Sequence, residues 1–143
     1  MYPHDLDGER GRLMGLLDAF QAAERAGAEA VGRWIAACGD PRLRGGLRVI
    51  RARDARHAAL AEARLRALGG VPGARPTREL SALCGVVADP GVSDRSKLAM
   101  LVRRLPEPDE TPLVVEDRLE ERASLRWLRR IRETLERETE RGA

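Results

Sequence analysis

Between Leu43 and Leu68 the apolar positions fall every three or four residues, at Leu43, Leu47, Ile50, Ala61, Leu65 and Leu68, with Asp54 and His57 set into the middle of the stripe. That period is the buried face of a helix. Leu13, Leu17, Phe20, Gly27, Val31, Trp34 and Cys38 make a similar face earlier in the chain, interrupted near its centre by Glu24. The first helix is therefore expected from about Asp5 or Asp7 to Cys38. Gly39-Asp40-Pro41 supplies a break, an N-cap and a proline at the first helical position, so a second helix should return antiparallel and end at Gly69-Gly70.

Two prolines and a glycine between Val71 and Pro76 predict a connector over 70–76. Thr77 then caps a helix from Arg78 to about Ala88, and Asp89-Pro90-Gly91 breaks it. Ser93 caps a short helix from Asp94 to about Leu105, whose apolar side is Leu98, Leu101, Val102 and Leu105. A last helix should begin between Asp109 and Pro112 and run almost to the end, with Glu121 on its inward or boundary side. Beyond Leu135 the sequence is polar all round and is expected to fray or project. A hairpin over 5–69 and a helical pair over 77–138 together predict one all-α domain spanning 1–143, an antiparallel four-helix bundle whose third helix is broken near Asp89-Gly91.

Composition supports helix over sheet: aromatic residues are 3% of the 143, and alanine, leucine and arginine dominate. Charged residues reach 34% but nearly cancel to +3, so self-repulsion does not keep the chain unfolded. Lys97 is the only lysine, a bias consistent with coding composition. Cys38 and Cys84 fit no metal or redox spacing and read as two small buried thiols. No segment approaches the roughly 20 apolar residues of a membrane span, and no targeting signal is legible, so a cytoplasmic location is expected.

The candidate chemistry lies on the two stripes. Asp54 and His57 sit one turn apart on a single face. Glu24 is 14 residues before Cys38 and Asp54 is 13 after Pro41, so both stand about 20 Å from the turn and should face each other. Carboxylates and an imidazole projecting between helices are what a helical-bundle metal site requires: the oxygens balance the cation and the nitrogen completes its coordination. Glu121 is a fourth candidate ligand, with Asp117 one turn before it. Iron or manganese suits such mixed ligation, and zinc also fits. Hydrogen bonding within the cluster, or pairing with an arginine, would equally account for these residues as a polar core without metal. Arg44, Arg48, Arg51 and Arg56 on the outer side of the second helix would serve an anionic partner, but stacking aromatics are lacking and net charge is small. Nucleic acid is therefore not the expected partner.

Glu24-Arg-Ala-Gly-Ala-Glu-Ala, Trp34, Gly39-Asp40-Pro41 and Arg53-Asp54-Ala-Arg-His57-Ala58 together resemble the first helical hairpin of the ferritin-like superfamily, which includes rubrerythrin-like proteins. The resemblance covers roughly residues 10 to 70. It implies a four-helix bundle with a di-iron site built from a glutamate on one helix and Glu-x-x-His on the next, repeated in the second pair. It carries Glu24, Asp54 and His57 over as ligands, with Asp54 in place of the usual glutamate. The second half departs from the pattern, since Ser124 stands where Glu121-x-x-His would need its histidine. Iron binding, ferroxidase-type chemistry or peroxide-reducing oxidoreductase activity is what the resemblance implies, at a complete, reduced or dimer-shared site. A homodimer is expected, with a protein partner or an enclosing shell as further candidates. The alternative is a metal-free helical scaffold or adaptor acting through dimerisation or protein contacts, with no cofactor.

Overall fold

The computed structural model describes residues 3–104 and 115–142, and the side chains of 6–104 and 122–142. These residues form five helices: α1 (Pro3–Ala37), α2 (Pro41–Ala67), α3 (Arg78–Ala88), α4 (Asp94–Arg104) and α5 (Val115–Gly142). The described chain is thus all-α. The expected start of the last helix between Asp109 and Pro112 lies outside the described residues.

Local chemistry sets each boundary. Asp40 is the N-cap of α2: its carboxylate accepts from the amides of Arg42 at 2.9 Å and Leu43 at 3.4 Å, and Pro41 fills the position that needs no donor. Gly69, at φ +90°, ends α2 in the left-handed region, so that the amide of Gly70 donates to Leu65 O and that of Gly69 to Arg66 O. Thr77 Oγ1 accepts from the Leu80 amide at 3.1 Å to start α3, and Ser93 Oγ accepts from the Ser96 amide at 3.1 Å to start α4. Between them Asp89 Oδ1 takes the Gly91 amide at 2.8 Å, closing the expected break.

α1 and α2 form an antiparallel hairpin with the most extensive helix contact in the described chain; α3 packs on α1, α5 on α2, and α4 on α5. Arg42 donates to Glu138 at 2.7 and 2.9 Å while Arg53 donates to Ser124 at 3.4 Å, so α5 runs back along α2. The Trp127 ring lies against Gly46, where any Cβ would overlap it. The end of α5 stays helical to Gly142 with residues 137–142 exposed, so of the two expected behaviours it projects; Glu138 pairs with Arg42 there and Glu136 with Arg132 at 3.0 Å. Connector 70–76 is tied down by Asp18, whose carboxylate accepts from the Gly73 and Ala74 amides.

Most of the buried apolar residues fall into two groups, with the small side chains of Ala22, Ala28 and Ala58 buried between them. The larger, near the hairpin turn, gathers Ala30, Trp34, Cys38, Leu43, Leu47, Val87, Leu98, Leu101, Leu128 and Ile131. A smaller one, towards the open end, contains Leu17, Ala61 and Leu65 with Met14, Phe20 and Leu68 packed on it. The stretch of seam between them is where the polar interruptions of both stripes fall.

Candidate metal centre

The matching heights read from the sequence place three side chains together. Glu24 from α1 and Asp54 and His57 from α2 each offer a ligand atom, and these atoms all lie within 4.8 Å of one another. His57 is 1% exposed, and its Nδ1 stands 3.8 Å from Glu24 Oε2, whose side chain is 12% exposed. The Phe20 ring flanks the imidazole, with centroids 6.4 Å apart. Gly27, one turn after Glu24, leaves room for the Asp54 carboxylate: a Cβ there would be 3.3 Å from Oδ2.

The donor set suits a divalent ion. Two carboxylates and an imidazole carry a formal charge that one dication balances, and hard oxygen with borderline nitrogen is the chemistry of iron, manganese and zinc sites. Donors about 2.2 Å from one ion stand about 3.6 Å apart at tetrahedral angles. The cluster, whose ligand atoms lie within 4.8 Å of one another, therefore has to contract by up to about 1 Å to close on an ion. Without an ion, the same closeness makes a polar core cluster in which the imidazole stands beside the Glu24 carboxylate.

The other residues singled out from the sequence fall differently. Glu121 lies on α5, but its side chain, like that of Asp117, is outside the described residues. Ser124, one turn further on, accepts from Arg53. Of the four arginines expected on the outer side of α2, Arg48, Arg51 and Arg56 are exposed and Arg44 is half-buried. Arg44 donates to Cys38 O at 2.6 Å, and the exposed Arg51 lies over Gly32. Cys38 is buried but Cys84 only partly so, and both thiols are free. Burial pushes the Cys84 thiol up, and the carboxylates of Asp54 and Glu29 push it the same way.

A second polar group escaped the sequence reading. Trp34 Nε1 donates to Asp94 Oδ1 at 2.8 Å, the Cys38 thiol lies 3.7 Å from Asp94 Oδ2, and the Lys97 ammonium sits 5.5 Å from the Trp34 ring centroid. Lys97 is 1% exposed, and burial lowers its pKa against the opposing pull of Asp94 and Asp89. Its only sequence signal is a lone lysine beside Leu98 and Leu101.

Among the described residues no helix is long and apolar enough to cross a membrane. No protein-family model, curated protein or solved structure matches the chain.

Proposed function

We propose that this chain is a ferritin-like helical-bundle protein that binds a divalent metal ion, iron before manganese or zinc, through Glu24, Asp54 and His57, for iron binding or iron-dependent oxidoreductase chemistry. The observation that carries the reading is the convergence of three ligand atoms, from two helices, within 4.8 Å at the level where both apolar stripes are interrupted. Bound iron would supply a Lewis-acidic, redox-active centre with coordination positions open to oxygen or peroxide. The chain's part is positional: α1 and α2 hold the carboxylates on opposite sides of the seam. The Phe20 ring and the core around His57 keep water from the imidazole. The second reading, a metal-free scaffold, is favoured by the 3.8 Å approach of His57 to Glu24, which suits a polar core pair as well as a ligand pair.

The test is metal content of untagged protein after anaerobic Fe(II) loading and desalting, with the melting temperature followed as free metal rises. Binding to the folded state alone stabilises it by about 2.7 kcal/mol at a hundredfold excess over Kd. Retained iron, lost in Glu24→Ala and His57→Ala, supports the site. Neither retained metal nor a shift in melting would leave the scaffold reading.

A further inference from the structure

The first turns of α1 lie outside both apolar groups: every residue from Leu6 to Leu13 is exposed, Leu6 at 53% and Leu13 at 40%, and Leu16 continues the exposed leucines at 52%. A Cβ added at Gly8 or Gly11 would meet nothing within 4 Å. The order of these residues has a symmetry of its own. Leu6-Asp7-Gly8-Glu9, read forwards, matches Leu13-Arg12-Gly11-Arg10, read backwards, with each acid answered by an arginine.

On a helix of 3.6 residues per turn, Leu6 and Leu13 fall about 20° apart and form one stripe. Asp7 and Arg10 then line one flank of it, and Glu9 and Arg12 the other. Two such helices packed antiparallel about a two-fold axis between Glu9 and Arg10 bring like flanks together. Asp7 then meets the partner's Arg10, Glu9 meets the partner's Arg12, and Leu6 lies opposite the partner's Leu13. A parallel pair in register would instead set acids beside acids and arginines beside arginines.

We infer that the exposed start of α1 is a self-association surface, and that its occupant is a second copy of this chain packed antiparallel through Leu6 to Leu13. The isologous character of a two-fold interface is what a charge-inverted palindrome provides. Pairing within one helix, Asp7 to Arg10 and Glu9 to Arg12, would use the same charges but leave three leucines in water. The positive end of the helix dipole explains acids near an N-terminus; it does not explain two arginines at the mirrored positions. In this register the helices overlap from residue 3 to 16, about 20 Å. So short a contact is at the low end of specific interfaces, and a micromolar association is expected. Glu24 lies beyond the overlap, so the inference stands apart from the metal reading.

Sedimentation of the whole chain between about 1 and 200 µM should show a reversible shift to twice the 15.8 kDa chain mass. The shift should weaken at high salt as the ion pairs are screened. Asp7→Arg with Glu9→Arg makes all four charges positive, and Arg10→Glu with Arg12→Glu makes them all negative. Each variant should lose at least about tenfold in self-affinity with helix content unchanged, and an equimolar mixture of the two should regain the doubled mass. A wild-type monomer at the top of the range would overturn the inference. So would a variant that self-associates like the wild type, or a mixture that stays monomeric.

Discussion

Gly27 faces the Asp54 carboxylate across the α1–α2 seam, with its absent Cβ marking a space that ends 3.3 Å from Oδ2. A methyl group there would push Asp54 aside by a few tenths of an ångström while improving the intrinsic propensity of α1. Gly27→Ala is therefore expected to weaken metal binding about tenfold, or roughly 1.4 kcal/mol. The metal-free protein should be unchanged or up to about 1 kcal/mol more stable. Titration calorimetry with Mn(II) or Zn(II), set beside urea unfolding without metal, separates the two effects.

Lys97 gives a stability that depends on pH in a direction fixed by its burial. The unfolded side chain titrates near 10.5 and the folded one lower. Between those values the unfolded state holds more protons, so stability rises with pH through that window, and below it the buried ammonium is a constant cost. Lys97→Met should remove the alkaline rise and raise stability at neutral pH by about 1 kcal/mol, the lost contact with Trp34 notwithstanding. Urea midpoints between pH 7 and 11 would show both.

Asp40 works in the opposite sense. The Arg42 guanidinium, with the Arg42 and Leu43 amides, holds its carboxylate below the ordinary 3.8. Its contribution is present above that value and is lost as pH falls through the folded one. Asp40→Ala should cost about 1 kcal/mol at pH 7. The difference from wild type should shrink as acid protonates the cap, which thermal melts from pH 7 down to 2 would follow.

Gly46 and Trp127 make the close approach that seats α5 on α2. Gly46→Ala cannot be accommodated without moving the indole, so an overpacking loss of about 1–3 kcal/mol is expected. The Trp127 fluorescence maximum should shift as the ring leaves its present contact. An unchanged spectrum with unchanged stability would contradict that packing.

Much of this arrangement was written in local spacing. The levels of Glu24, Asp54 and His57 followed from one helical rise and a turn fixed by Asp40 and Pro41, both of which act over a few residues. The breaks at Gly69 and at Asp89-Pro90-Gly91 were legible for the same reason. What stayed hidden depends on partners far along the chain. Arg42 and Glu138 are 96 positions apart, and nothing near Glu138 announces that a polar helix end will be held. Lys97 stood out in the sequence only as the lone lysine, and its burial against Trp34 depends on a residue far along the chain. The arginines of α2 looked alike in sequence, yet Arg44 serves the hairpin turn and Arg51 fills the space above Gly32.

The two apolar groups on either side of the Glu24–Asp54–His57 level leave the hairpin with a weak plane. Opening the far group, Leu17, Ala61 and Leu65, need not expose Trp34 or Leu43 at all. The long hairpin should accordingly behave as two units, with amides around Leu17 and Leu65 exchanging with solvent through a smaller excursion than those around Trp34 and Leu47. An ion bridging α1 and α2 at that plane would fasten one unit to the other and bring their exchange rates together.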